Sequence, residues 1–335
     1  MFETKFHNKD LNNYTFLVTG GAGFIGSNIV EYLLKYQVGK VKVLDNLSNG
    51  FYKNIQEFED HPSFEFIEGD IRDLETCINA SKGCDYILHQ AALGSVPRSI
   101  NDPITSNAVN IDGFLNMLVA ARDCKAKRFV YAASSSTYGD SQQLPKVENN
   151  IGRPLSPYAV TKYVNELYAD VFEKTYGIDC VGLRYFNVFG PKQDPKGAYA
   201  AVIPLFIDAV LENRPPVING DGEQTRDFTF VENAVEANIR AALADNISSQ
   251  QKIYNIAYGE RTSLNQLINI LKEKTGAVFE ATYGPPRVGD VRDSLASIEK
   301  AKEDFGYAPQ KDIRHGLNVT LEWFKNNQEF IKVRA

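Results

Sequence analysis

Thr15-Phe16-Leu17-Val18-Thr19-Gly20-Gly21-Ala22-Gly23-Phe24-Ile25-Gly26 decides how this chain is read. Its first five residues are apolar and β-rich enough for a short buried strand. Glycines crowd the next seven, after which Ile25, Ile29 and Leu33 recur at the spacing of one helix face. A second apolar run, Val41-Lys42-Val43-Leu44, ends on Asp45. Strand, glycine turn, helix, strand and acid in this order make the βαβ unit that grips a dinucleotide. The glycines let the chain turn sharply and bring bare N–H groups up to a pyrophosphate. The helix points its positive N-terminal end at the same charge. Asp45 can accept hydrogen bonds from the adenosine ribose hydroxyls. A 2′-phosphate there would meet an uncompensated negative charge, so the acid favours NAD over NADP.

Downstream, apolar runs and turns keep alternating. Asn46-Leu47-Ser48-Asn49-Gly50 is a turn-rich loop placed to wrap the adenosine. Phe64-Glu65-Phe66-Ile67 predicts a strand leading into Gly69-Asp70-Ile71, where an acid at a strand end suits an adenine amino group. Asp70 is equally a candidate N-cap for a helix from about Arg72. Asp85-Tyr86-Ile87-Leu88-His89 predicts the next strand. The small residues of Gln90-Ala91-Ala92-Leu93-Gly94-Ser95 then allow close backbone approach to a ligand at the strand ends. A long helix is predicted from about Ile104 to Cys124. Arg128-Phe129-Val130-Tyr131-Ala132-Ala133 predicts another buried strand, running into Ser134-Ser135-Ser136, which alone would read as turn residues.

Ser156 is a good N-cap and Pro157 a good first residue for the helix that follows. Val160, Val164, Leu167 and Val171 form its apolar stripe, with tyrosines and acids expected on the outer side. Tyr158 and Lys162 stand four apart and therefore share one face. An ammonium beside a phenol stabilises the phenolate and lowers its pKa towards neutrality, which a phenolic acid/base needs.

Composition narrows the setting. At 335 residues the chain predicts one large α/β unit or two lobes. Hydrophobic content of 43% and charged content of 23% are ordinary for a globular protein. A net charge of −6 argues against nucleic acid as the main partner. Residues Met1 to Asn13 are polar, without an apolar core, and predict neither signal peptide nor anchor. No apolar run approaches the ~20 residues of a membrane helix, so no membrane partner is expected. Cys77, Cys84, Cys124 and Cys180 form no C-x-x-C pair, which fits a reduced, cytoplasmic compartment. His7, His61, His89 and His315 lack ligand spacing, so no metal site is expected.

Gly20-x-x-Gly23-x-x-Gly26, in place of the tighter G-x-G-x-x-G, together with Ser134 and Tyr158-x-x-x-Lys162 resembles the extended short-chain dehydrogenase/reductase superfamily. From Tyr14 onward the chain is similar to its UDP-sugar 4-epimerases, particularly those acting on UDP-N-acetylglucosamine. Arg184-Tyr185-Phe186-Asn187-Val188-Phe189-Gly190-Pro191 resembles the strand and loop that carry an Asn to the sugar nucleotide. Gly222-Glu223-Gln224-Thr225-Arg226-Asp227-Phe228 resembles the pyrophosphate-binding Arg segment. Pro286-Arg287-Val288-Gly289-Asp290 resembles the second Arg, followed by an Asp for the uridine ribose. Two arginines can neutralise a diphosphate with forked hydrogen bonds.

The resemblance implies an α/β fold, a Rossmann-type doubly wound parallel sheet with a smaller α/β substrate-binding lobe. It implies an NAD-binding domain over 14–190, to which 224–260 and about 295–325 return. The lobe would comprise 191–223 and 261–294, and residues 1–13 an N-terminal extension. NAD would be held by Gly20, Gly23, Phe24, Ile25, Gly26, Asp45, Asn46, Ser48, Asn49, Gly50, Asp70 and Ile71. Gln90, Ala91, Ala92, Tyr158, Lys162, Tyr185 and Val188 would complete its site. The UDP-sugar would meet Gly94, Ser95, Ser134, Ser135, Tyr158, Asn187, Gln193, Ala201, Val202, Arg226, Arg287, Asp290 and Ser294. Ser134, Tyr158 and Lys162 are the implied catalytic residues, and NAD is expected to stay bound and be regenerated each turnover.

Related dehydratases and decarboxylases carry an acid just after the Ser or Thr. Ser134-Ser135-Ser136-Thr137-Tyr138 has none, which points to oxidation and re-reduction at one carbon. The residue four after the family's Asp gates the sugar pocket, where a Tyr restricts it to plain hexoses. Ser294 stands here and leaves room for an acetamido group. The expected activity is therefore interconversion of UDP-GlcNAc and UDP-GalNAc, with UDP-GlcNAcA and UDP-Glc/UDP-Gal as alternative substrates. A net oxidoreductase using exchangeable NAD is a further alternative. The resemblance also implies a homodimer, through the helices near 104–124 and 157–176.

Overall fold

The computed structural model describes residues 1–195, 200–286 and 292–328. The first half alternates strands and helices: β1 (Thr15–Thr19), α1 (Phe24–Lys35), β2 (Lys40–Asp45), β3 (Phe64–Glu68), α2 (Leu74–Ser81) and β4 (Tyr86–His89). There follow α3 (Val96–Asn101), α4 (Pro103–Asn107), α5 (Gly113–Asp123), β5 (Arg128–Ser134), α6 (Pro157–Tyr176) and β6 (Cys180–Tyr185). Shorter pieces come next: β7 (Val188–Phe189), α7 (Val202–Leu211), β8 (Val217–Asn219), β9 (Thr225–Arg226), β10 (Thr229–Phe230) and α8 (Val231–Leu243). The chain closes with β11 (Ile253–Ile256), β12 (Thr262–Ser263), α9 (Leu264–Thr275), β13 (Thr282–Gly284), α10 (Glu299–Phe305) and α11 (Ile313–Asn326).

Seven strands form one parallel sheet in the order β11-β6-β5-β4-β1-β2-β3. The strand periodicity of two decides the layers. Phe16 and Val18 of β1 pack with Ile29 and Leu33 of α1 and with Val235 and Ile239 of α8. Leu17 faces the other way, into a core with Cys77 of α2, Phe114 and Leu118 of α5, and Phe172 of α6. Helices thus cover both faces, which is why these strands read as continuous apolar runs. Strand order reverses beside β1, with β2 on one side and β4 on the other. A crevice opens at the carboxyl ends of such strands.

A separate core gathers Ile203 and Phe206 of α7, Leu267 and Leu271 of α9, Leu317 and Phe324 of α11, and Ile218 of β8. Two-stranded pairs β8–β13 and β9–β12 accompany it. The stretch 295–325 divides between the two cores. Ala301 and Phe305 of α10 join Tyr254 and Ile256 of β11 in the sheet core, whereas α11 packs in the second one.

Four local expectations are corrected. The segment 1–13, expected as a polar extension, packs onto the sheet domain: Phe2, Phe6 and Leu11 are buried, and Phe6 stacks on Tyr32 of α1 with ring centroids 5.0 Å apart. The predicted long helix is α4 and α5 joined by a π-helical segment, Ala108–Asp112. On α6, Val160, Leu167 and Val171 face outward, while Ala159, Lys162, Glu166, Ala169 and Phe172 face inward. Asp73, not Asp70, caps α2, accepting from the N–H groups of Glu75 and Thr76. Among the described residues no helix is long and apolar enough to cross a membrane.

Candidate active site

The glycine turn is tight enough to exclude side chains. Gly20 has φ +67°, and a Cβ on it would lie 2.7 Å from Ala91 N. A Cβ on Gly26 would lie 2.2 Å from Gly20 O. Beyond the turn, α1 begins with no side-chain cap, so its first N–H groups are left to an anion in front of them. Asp45 ends β2 and is buried; its carboxylate accepts from Ala22 N at 3.0 Å and Leu47 N at 2.8 Å. Burial pushes its carboxyl pKa up, and those two N–H bonds act against it. The donor set therefore fits the pyrophosphate and ribose of NAD, with lone pairs of Asp45 remaining for hydroxyls.

Asp70 is held differently. The Arg72 guanidinium and N–H, with Asn46 Nδ2, donate to its carboxylate. The Arg72 bond, first among these, holds its pKa down at about 2.

Both segments open onto one cleft of about 610 Å³ along the carboxyl edge of the sheet. Its walls include every expected cofactor residue: Gly20, Gly23, Phe24, Ile25, Gly26, Asp45, Asn46, Ser48, Asn49, Gly50, Asp70, Ile71, Gln90, Ala91, Ala92, Tyr158, Lys162, Tyr185 and Val188. Gly94, Ser95, Ser134, Ser135, Asn187, Gln193 and Ala201 line it too. Val202, Arg226 and Ser294 do not. Arg226 Nη1 donates to Thr225 O at 2.8 Å and Arg292 O at 3.1 Å. Arg287 and Asp290 lie outside the described residues.

Ser134, Tyr158 and Lys162 converge where β5 meets α6. The Ser136 N–H and hydroxyl both donate to Ser134 Oγ, at 3.1 and 2.8 Å. Both acceptor positions of Ser134 Oγ are thus filled, and its own proton remains to donate into the cleft that Tyr158 also lines. Burial pushes the Tyr158 phenol pKa up, with the nearby Ser134 hydroxyl opposing. Lys162 Nζ donates to Ala132 O at 2.8 Å. Burial lowers its pKa to about 8, with the Glu166 carboxylate opposing. The expectation of a phenol lowered by the adjacent ammonium is thus corrected. Here the lysine anchors to β5, and desolvation dominates both groups.

Several supporting residues escaped the sequence reading. Ser99 Oγ accepts from Tyr158 N at 3.0 Å and so seats the first turn of α6. Asn110, in the π segment, bonds both Leu93 N and Leu93 O, at 2.8 and 3.0 Å. It also donates to Thr161 Oγ1, beside Lys162. A π turn is a frequent functional distortion, but composition does not announce it. Ser95 caps α3 at φ +94°, and Asn187 follows β6 at φ +36°, both costly for side-chain-bearing residues and both on the cleft. Arg98, from α3, lines the cleft and donates to Asn49 Oδ1 at 2.8 Å.

The chain is similar to known proteins. A UDP-N-acetylglucosamine 4-epimerase from Methanobrevibacter ruminantium M1, solved with UDP-N-acetylmuramic acid, is 38% identical with TM-score 0.89, covering 94% of this chain and 99% of that one. A UDP-glucose 4-epimerase from Thermotoga maritima, solved with UDP-glucose, is 37% identical with TM-score 0.87, at the same coverage of 94% and 99%. The UDP-glucose 4-epimerase of Mycolicibacterium smegmatis is 37% identical over 315 residues, 93% of this chain and 99% of that protein. A family description matches residues 16–257, and with it the chain belongs to the NAD dependent epimerase/dehydratase family.

Proposed function

We propose that the protein is a UDP-sugar 4-epimerase, and that it interconverts UDP-GlcNAc and UDP-GalNAc with NAD as a resident cofactor. One observation carries the reaction type: Ser134, Tyr158 and Lys162 line one cleft with the glycine turn and Asp45, with no acid after the serine. Bound NAD would supply reversible acceptance of the C4 hydride. Tyr158 takes the proton from the sugar's 4-hydroxyl and returns it, while Ser134 hydrogen-bonds the same oxygen. Lys162 brings a buried positive charge to the tyrosine's side of the cleft. Ser135 and Asn187 are our candidates for sugar contacts. In this reading Arg226 and Arg287 grip the diphosphate, so the sugar ring can turn over while the nucleotide stays held.

The acetamido preference rests on Ser294, which is half-buried. UDP-GlcNAc given to the purified protein without added NAD should yield UDP-GalNAc. Turnover that consumed added NAD stoichiometrically would mean a dehydrogenase instead. Ser294→Tyr should slow the acetamido reaction about 10- to 100-fold and spare UDP-glucose, the scale of a steric pocket change. Equal loss of both would sink the gate.

The outward stripe of α6 supports the homodimer. Leu167 is 50% and Val171 52% exposed, and Ile104 of the neighbouring α4 is 81% exposed. Two copies related by a two-fold axis could bury these helices as a four-helix bundle. Wild-type protein should sediment at twice the chain mass, and Leu167→Glu with Val171→Glu should halve it. A monomeric wild type at micromolar concentration would refute this assembly.

A further inference from the structure

Asp227 is fully buried, yet among the described residues it forms no ion pair. An isolated carboxylate is costly to desolvate unless hydrogen bonds replace its water. Its bonds all come from backbone. Tyr258 N and Gly259 N donate to Oδ1 at 3.2 Å each, and Ala296 N donates to Oδ2 at 3.1 Å. Burial raises the carboxyl pKa to about 6, and these backbone N–H bonds pull against it, so the charged form prevails at neutral pH. One side chain thereby joins two segments that share no ladder: the loop after β11 and the strand-like stretch before α10.

Asp227 and the second of those segments also adjoin residues assigned to the sugar nucleotide. Arg226 precedes Asp227 directly. Asn187 Nδ2 donates to the Asp227 carbonyl at 3.0 Å. Ser294 lies two residues before Ala296, and its stretch is tied at the other end by Thr225 N to Arg292 O, 3.0 Å, and Thr225 Oγ1 to Asp293 Oδ1, 2.6 Å. Asp227, like Arg226 and Ser294, does not line the NAD cleft. Resting on the epimerase reading above, we infer that Asp227 is a positioning residue: it sets the spacing of Arg226, Asn187 and the 292–296 stretch, and so governs affinity for the nucleotide-sugar and not for NAD. A carboxylate suits this task because both its oxygens only accept. An amide at the same place turns one of them into a donor facing N–H groups.

The test titrates NAD-loaded wild type and Asp227→Asn with UDP by calorimetry, alongside NAD content and Tm. UDP affinity should fall at least about 10-fold, or about 1.4 kcal/mol, with NAD content unchanged. In turnover of UDP-GlcNAc, KM should rise by a similar factor while kcat stays within about threefold, the signature of lost binding common to ground and transition states. If the asparagine variant does not fold, Asp227→Ser, which keeps an acceptor in a smaller volume, takes its place. A lower Tm with UDP affinity within about twofold of wild type would overturn the inference, as would simultaneous loss of UDP and NAD binding. Failure of both variants to fold would overturn it too, making Asp227 a folding determinant. Wild type without UDP affinity would overturn the epimerase reading, and this inference with it.

Discussion

Tyr158→Phe is expected to leave a folded, NAD-loaded protein that epimerises about 10²–10⁴-fold more slowly, the range that a positioned proton transfer contributes. The substitution removes one hydroxyl and keeps the ring, so packing around the first turn of α6 survives. What disappears is the phenol oxygen on the cleft that Ser134 and Lys162 also line. Ser134 cannot substitute, because its own oxygen is already taken by the N–H and hydroxyl of Ser136. Burial keeps the phenol protonated and brings Lys162 to about 8, so at neutral pH the pair rests as neutral acid and ammonium. That state is ready for the half-reaction that returns a proton to the sugar. The opposite half needs the phenolate, which a buried ammonium on the same helix face favours over any neutral residue. The check is kcat with UDP-GlcNAc beside the NAD content of the same preparation. A phenylalanine variant within about tenfold of wild type would show that the proton goes elsewhere.

Much of this site was legible because its chemistry is local in sequence. Residues 15–45 contain a strand, a turn, a helix and a second strand that meet in space through one short crossover. Tyr158 and Lys162 share a helix face by spacing alone. The same rule does not say where the far ends of long side chains bond, and Lys162 Nζ reaches Ala132 on β5, thirty residues earlier. Periodicity also identifies a stripe without saying what covers it. On α6 the small and polar Ala159, Lys162, Glu166 and Ala169 fill the narrow space against the sheet. Glu166 is buried there because Arg184 of β6 meets it with two bonds of 2.8 Å, a pairing separated by 18 residues. Val160, Leu167 and Val171 are left for the outside.

Elsewhere the signal was too sparse or too distant. Phe2, Phe6 and Leu11 are single apolar residues among polar ones, without a period. Phe2 and Phe6 are buried by a partner on another element, the aromatic ring of Tyr32, together with bonds such as Phe6 N to Tyr32 Oη at 2.7 Å and Tyr36 Oη to Phe2 O at 2.9 Å. Asp70 and Asp73 are both plausible caps by residue type. The choice falls to Asp73 because Asp70 is occupied by Arg72 and Asn46. Nothing near Asp227 in the sequence announces its role, since its donors lie 31 to 69 residues away.

The second large effect is expected at Gly26, where Gly26→Ala should yield protein that purifies without NAD and retains under about 1% of wild-type turnover. Gly26 sits inside α1 with ordinary helical backbone, so an alanine by itself would favour the helix. The obstacle is space. The added Cβ would lie 2.2 Å from Gly20 O, 2.8 Å from Gly21 Cα and 2.9 Å from Gly20 C, all backbone atoms. Gly20 cannot simply retreat, because Gly20 N donates to Leu44 O at 2.8 Å and Gly20 O accepts from Gly23 N at 3.0 Å. Behind it stands Ala91, close enough that Gly20 itself tolerates no side chain. Relief must come from tilting α1 away from the turn, which moves the uncapped N–H groups from the pyrophosphate they are placed to meet. Overpacking of this kind costs about 1–3 kcal/mol, small enough for the seven-stranded sheet to survive and large enough to open the turn. Near-wild-type far-UV dichroism with absent NAD is therefore the expected pair of results. An alanine variant that purified with its full complement of NAD would show that the turn yields without moving the helix, and that the close approach of Gly26 to Gly20 is not what holds the cofactor.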